Sequence, residues 1–563
     1  MKTFTRYVAL LMCLLWFSNP AKAQFNVSSA SYLGDETDAD QVKGSRIQSD
    51  GTIVLAANIG KAKPGNVAPT LLNNAAATAS GAIIRLSTDG RTVLSVTRLA
   101  EQVYDLALDG SDNIFVAAGT AGIIKLTPNA GTVTWNRLSG SYVHRVDAAS
   151  DGTSVALVPT NVNGADLAGG AGRITAFDKG GAVVVGFTGY SNTQDVCLDA
   201  ASRTVITVGW RQANAFDGSR NEPVQISYLR GYGYNERIKW ANYDWSVDRA
   251  SPRFINKPEN NMADTRGVRC TMGRDGKLYA AYECAGGNHI FRYSPADIAV
   301  KTAIVGGDQY HDFSNTRSED KTFFARYEPA TGAYLRGQQL VNRLGSGVGN
   351  TILARDLAAD ETGRVCIGGA SAFGLPSFSL NPPGLGPYTG GAWFMVMSTD
   401  FTQRLFVTRL NASGQTFAMD ARTINGKASI VWAGQAKTFD AQYVLNAVQP
   451  TAGGGSAEGF FAVIGSAAAL SSAAGNNAGA ALELFPNPTR NQFFIGYETQ
   501  QRGPVQVEIT DALGRPAMAA FERVAQAGTN RFAVALPTLP LGLYVVRVRQ
   551  GSAAFTQKLV LAN

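Results

Sequence analysis

The chain has 563 residues, 45% of them hydrophobic, with 50 basic and 43 acidic side chains and a formal charge of +7. Three basic residues fall in 1–23, and eight basic against five acidic residues fall in 482–563. The stretch between is therefore close to neutral and lacks the basic footprint of a nucleic-acid binder, while its length exceeds a usual single core unless it is a repeat array sharing one axis.

At the N-terminus, Lys2 and Arg6 precede an apolar run from Tyr7 to Phe17, followed by Asn19-Pro20 and the small-x-small pattern Ala21-Lys22-Ala23. This predicts a cleaved signal peptide over 1–23, since the run is shorter than the roughly twenty apolar residues a bilayer needs. The cluster Asp35, Glu36, Asp38 and Asp40 has the right donors for calcium but neither the Asp-x-Asp-x-Asp-Gly frame nor the distal Glu of an EF-hand. It is expected to be a solvated acidic loop, with no metal.

Residues 24–465 repeat one pattern: a short apolar strand, a polar turn with Asp or Gly, and a second strand ending in small residues. It stands out in Asp105-Leu106-Ala107-Leu108-Asp109 before Ile114 to Gly119, and in Asp356-Leu357-Ala358-Ala359-Asp360 before Val365 to Gly369. Weaker copies have second strands starting near Ile53, Ser154, Val205, Leu278 and Ala428, which makes about seven units with loops of variable length. Third strands follow many kernels, as in Ala82 to Leu86 and Gly122 to Leu126. Such meanders bury their faces and edges by packing in a ring, so the expected fold is all-β, a β-propeller of about seven blades followed by a small C-terminal β-sandwich. The kernels resemble the NHL and bacterial β-propeller repeat group, a likeness that implies a fold and carries over no catalytic residue. No long amphipathic helix is evident, which disfavours an α/β enzyme fold.

If each first strand lines the axis, its leading positions gather Asp105, His144, Arg145, Asp195, Arg266, Arg355 and Asp356. That ring either holds a polar ligand, with His144 as acid or base beside Asp105 or Asp195, or closes the propeller through ion pairs between blades. The insertion between Gln212 and Asp264 adds Tyr228, Tyr232, Tyr234, Trp240, Tyr243 and Trp245 among Arg230, Arg237, Lys239 and Arg249. These aromatics suit glycan stacking or a protein interface, or else they fill the core between blades. A second insertion, Gly374 to Gly391, carries Pro376, Pro382, Pro383 and Pro387 and is expected to be a stiff surface loop. Cys197, Cys270, Cys284 and Cys366 lack zinc-ligand spacing; four cysteines in an exported protein allow two disulfides, and the favoured reading is buried free thiols. No Gly-x-Ser-x-Gly, His-Glu-x-x-His or phosphate loop occurs, Gly345 to Gly349 reads as a flexible turn, and no cofactor is implied.

After an Ala/Ser/Gly/Asn linker over 466–481, residues 482–563 open on Leu484-Phe485-Pro486-Asn487-Pro488. They continue through Asp511-Ala512-Leu513-Gly514, Leu541-Gly542-Leu543-Tyr544 and Lys558-Leu559-Val560, with alternating strands between. Pro486, Asn487, Pro488, Asp511, Gly514, Gly542, Tyr544 and Lys558 together resemble the type A sorting domain of the type IX secretion system of Bacteroidetes. The resemblance implies that this segment engages the type IX machinery, with an extracellular or outer-membrane-surface destination. The expectation is an exported propeller that binds a glycan or protein partner. The alternative is a propeller hydrolase or lyase acting on extracellular polysaccharide through His144, His311 or the axial carboxylates.

Overall fold

The computed structural model describes residues 25–562 except 37–38, 73, 163–167, 217–220, 246–263, 286–289, 298–299, 301, 303–317, 341–349, 376–388, 410–413, 437–443, 467–481, 500–501, 512–514 and 551–552. The signal segment, the Gly345 turn, the prolines of the second insertion, His289, His311, Asp38 and Gly514 lie outside the described residues. The chain divides into two compact units, a body ending at Ala467 and a tail beginning at Ala468.

The body is all-β; its only helical pieces among the described residues are single 3-10 turns at Pro64–Asn66 and Ile290–Arg292. Antiparallel meanders follow one another along the chain, and their second strands start at Ile53, Ile114, Ser154, Thr204, Leu278, Val365 and Lys427. The first six meanders begin with Gln41–Ile47, Asp105–Leu108, Arg145–Ala148, Asn192–Asp199, Thr265–Met272 and Asn350–Ala359 and take their main strands in sequence order, the first carrying Thr70–Leu71 as an extra edge strand parallel to Val93–Arg98. The seventh is composite: Gln415–Ile424, Lys427–Ala436 and Glu458–Ser466 are completed by Phe25–Leu33 from the far end of the body, paired with Leu33 opposite Gly459 and Phe25 opposite Ser466. The fifth and sixth also touch edge to edge through a short parallel pairing of Ser318 and Asp320 with Asn350 and Thr351.

Each second strand is apolar on both faces because each meander is covered on both sides. Ile53, Leu55 and Ala57 pack with Val431, Ala433 and Phe461 of the seventh meander, while Val54 and Ala56 pack with Leu106, Ile114 and Val116 of the second. The same arrangement recurs between every consecutive pair. Close approach of first strands to neighbouring meanders depends on missing side chains: a Cβ on Gly44 would lie 2.5 Å from Leu106 Cβ, and one on Gly267 would lie 2.5 Å from Val208 Cγ2.

The tail is a small sandwich. A three-stranded sheet, ordered Glu483–Phe485, Gln492–Thr499, Gly528–Ala535, faces a four-stranded sheet ordered Phe521–Ala525, Gly503–Asp511, Gly542–Gln550, Ala553–Leu561. Phe493, Ile495, Val507, Ile509, Val546 and Val548 fill the space between them. The motif residues hold the turns: Asn487 Nδ2 donates to the Lys558 carbonyl at 2.7 Å, and its Oδ1 accepts from Val560 N at 2.8 Å. Asp511 accepts from Arg515 Nε at 2.7 Å, and Tyr544 Oη donates to the Pro540 carbonyl at 2.8 Å.

Candidate functional site in the axial cavity

In five meanders the first strand carries a register irregularity at the same place, ending at Gly44, Asp195, Arg269, Asp356 and Ala418. A bulge re-aims the residue that follows it. Alternate residues of the first strands form two tiers of charge, including Asp105, Arg145 and Asp147 on the two first strands whose pairing is regular.

The upper tier runs Asp105, Arg145, Asp195, Arg269, Asp356 on successive first strands. Each aspartate is stapled to a neighbouring strand: Val146 N donates to Asp105 Oδ2 at 3.1 Å, Cys270 N to Asp195 Oδ2 at 3.1 Å, and Met419 N to Asp356 Oδ2 at 2.8 Å. Arg269 lies between two of them, 3.6 Å from Asp195 Oδ2 and 3.6 Å from Asp356 Oδ1. Burial pushes the Asp195 carboxyl up despite Arg269 and Arg145, and it pushes Asp356 up to about 6 against the pull of Arg269 and Arg46. Acid and base alternate along the tier, and Arg269 bridges two of its first strands.

The lower tier holds Arg46, Asp147 and Asp420, two residues further along their strands. Leu198 N donates to Asp147 Oδ2 at 2.9 Å, and Ile47 N to Asp420 Oδ2 at 2.8 Å. Below this tier opens a cavity of about 460 Å³, lined by Arg46, Asp147, Asp420, Arg274, Arg422 and Glu361 among others. Arg274 is committed to Asp420 at 2.6 Å and to the Ala421 carbonyl at 3.0 Å; Arg422 is committed to the Ile47 carbonyl at 3.0 Å and to Glu361 at 3.7 Å. Arg46 differs. Among the described residues its guanidinium makes one hydrogen bond, from Nη1 to the Ser45 carbonyl at 2.8 Å. Burial alone would lower its pKa, but Asp420, Asp105, Asp356 and Asp147 outweigh that and raise it. Burial pushes Asp147 up to about 7, opposed by the Leu198 amide and Arg46. The cavity wall thus offers a guanidinium with spare donors beside a carboxyl that titrates near neutrality.

The residues singled out in the sequence lie elsewhere. Asp105, Asp195 and Asp356 staple the upper tier, joined by Arg145, which donates to the Tyr104 carbonyl at 3.5 Å. Arg355 and Arg266 leave the axis for Glu283, at 2.6 and 3.9 Å, and Arg266 also donates to Gln225 Oε1. His144 is 0% exposed and packs against the rings of Tyr104 and Tyr142, so it is a core residue and not an acid or base open to a ligand. Asp147 and Asp420 escaped notice although Val146-Asp147-Ala148 and Met419-Asp420-Ala421 share a pattern of apolar residue, Asp, Ala. Nothing in the sequence around Arg46 marks it.

The insertion aromatics form no stacking platform. Tyr232, Trp240, Tyr243 and Trp245 are buried, with Trp240 Nε1 donating to the Pro329 carbonyl at 3.0 Å and Tyr243 Oη 2.7 Å from Tyr327 Oη. Trp240, Tyr243 and Trp245 fill the space between the fourth and fifth meanders, Tyr232 packs on Phe187 of the third with ring centroids 4.7 Å apart, and Tyr234 is half-buried under the Arg203 guanidinium. The N-terminal acidic loop is also not uniformly solvated, because Asp40 is buried. Cys197, Cys270, Cys284 and Cys366 are buried and form no disulfide with one another.

A family model described as a secretion system C-terminal sorting domain matches residues 483–562. No curated protein matches the chain. Among solved structures, the quinohemoprotein alcohol dehydrogenase from Comamonas testosteroni is 10% identical with a TM-score of 0.36, covering 80% of this chain and 77% of that one. Kuenenia stuttgartiensis hydrazine synthase is 8% identical with a TM-score of 0.40, covering 70% of this chain and 93% of that one. The sorting tail directs the protein through type IX secretion to the cell surface or the extracellular space.

Proposed function

We propose that the exported body is a seven-bladed, ring-closed β-propeller that binds a sugar residue of a glycan in its axial cavity. Ring closure is supported by the pairing of Phe25–Leu33 with Glu458–Ser466 and by the apolar cluster shared between the first and seventh meanders. The observation that carries the binding reading is Arg46 beside Asp147 on the wall of a cavity of about 460 Å³. Cavities of roughly 300–1,000 Å³ suit small ligands. A sugar hydroxyl both donates and accepts, so one such group accepts from Arg46 while another donates to Asp147.

The experiment is glycan-array binding by the exported protein, followed by titration of the best glycan against Arg46→Ala. Loss of at least tenfold in affinity with unchanged circular dichroism and melting supports the reading; no bound glycan, or affinity unchanged in the variant, overturns it. A hydrolase or lyase reading draws on the Asp147 carboxyl, since general acids work best with a pKa near the operating pH. Under that reading the bound glycan is cleaved, and release of reducing ends disappears in Asp147→Asn. Turnover that survives the substitution removes Asp147 from the chemistry.

A further inference from the structure

We propose a calcium site at the seam of the body, built on Asp40 and Glu458. Asp40 ends the acidic loop leading into Gln41–Ile47, and Glu458 opens the strand Glu458–Ser466; each is 1% exposed. The two loops interlock. Asp40 N donates to the Ala457 carbonyl at 2.9 Å, and Gly34 N donates to Gln449 Oε1 at 3.1 Å while its carbonyl accepts from Gln449 Nε2 at 3.0 Å.

Gly34 lies against both carboxylates, and a Cβ there would overlap Asp40 Oδ2 and Glu458 Oε2 together. That places the two oxygens within the roughly 4–6 Å over which like charges disfavour one another. Asp40 Oδ2 accepts from Asp35 N at 2.8 Å, and Glu458 Oε1 accepts from Gly454 N at 2.8 Å. Glu458 Oε2, fully buried and directed at Asp40, has no hydrogen-bond partner among the described residues. An unpaired carboxylate oxygen out of water is costly unless a cation meets it. Arg98, a buried cation nearby, turns Nη1 to the Ala79 carbonyl at 2.9 Å and Nη2 to the Ala62 carbonyl instead.

The donors are all oxygen, with neither His nor Cys beside them among the described residues, which selects a hard cation. Among the described residues no group of three or more acidic, His or Cys side chains could hold a metal. Carbonyls and water therefore complete the shell, which suits calcium with its irregular six to eight oxygens better than octahedral magnesium. Two carboxylates place the affinity near the weak end, roughly 10⁻⁴–10⁻³ M, typical of extracellular modules and matched to an exported protein. Bound there, calcium ties the loop before the first meander to the loop before the last strand.

The test is thermal melting of the exported protein, read by circular dichroism, in chelator and in calcium about tenfold above 10⁻³ M. Calcium is expected to raise Tm by a few degrees and magnesium by less. Glu458→Gln should remove the calcium increment yet melt in chelator no lower than the wild type, because its amide can donate to Asp40; Asp40→Asn serves the same purpose should the first variant fail to fold. Equal melting with and without calcium, or a calcium increment kept by a folded variant, overturns the site. So does a stability that falls with rising pH and ignores calcium, which assigns the pair to a shared proton.

Discussion

Arg269, touching an aspartate on either side, and Arg46, touching none within ion-pair distance among the described residues, show how one residue type serves two ends in the same fold. Removing one partner of a buried ion pair leaves an uncompensated charge, so Arg269 belongs to the scaffold. Asp147 provides a test at the same scale. Its folded carboxyl keeps its proton up to about 7, whereas the unfolded one releases it near the ordinary 3.8. Between those values the folded chain binds more protons, so this group's contribution to stability is whole below about 4 and is lost as pH rises through about 7. Asp356, raised to about 6, adds to the same slope. Asp147→Asn is expected to flatten the dependence of the urea midpoint on pH between about 4 and 7 and to stabilise the body at the upper end by about 1 kcal/mol. An unchanged slope would place the titration elsewhere. The axial aspartates were legible because the Asp-led kernel is a local pattern. Their partners were not, because a carboxylate's bond to a strand 41 to 75 residues away leaves no local trace.

Strands were the most legible element, since a kernel of two apolar runs about a polar turn is complete within some fifteen residues. All seven expected second strands lie at or within a residue of the observed starts. The fate of the aromatic insertion was not legible, because Tyr and Trp suit a binding face and a wide inter-sheet core equally. The fifth meander's Phe323, Tyr282 and Tyr327 decide it, by covering those rings. Phe25–Leu33 is the element with most to lose, since it completes the last sheet from the opposite end of the body. Leu33 is 0% exposed and packs against Phe461 and Val463. Leu33→Ala should cost about 2–5 kcal/mol, measured by chemical denaturation. Leu94→Ala, at a position 47% exposed, should stay within about 0.5 kcal/mol. Equal effects would mean that Phe25–Leu33 is a loose arm and not part of the core.

At the scale of the whole chain, the sorting tail and the body are separate compact units with separate cores. Deleting 483–562 is therefore expected to leave the body's cooperative melting intact while the protein is retained inside the cell, as fractionation and immunoblotting would show. Export of the truncated chain would dissociate the tail from targeting. The amino-acid sequence alone determined the destination and the class of fold, since a sorting motif and strand alternation are both written in short runs. Only the tertiary structure decided which charges pair, which face a cavity, and that Asp40 meets Glu458. Those outcomes depend on segments hundreds of residues apart being brought together, and each residue's burial and field are set by neighbours that the linear order does not name.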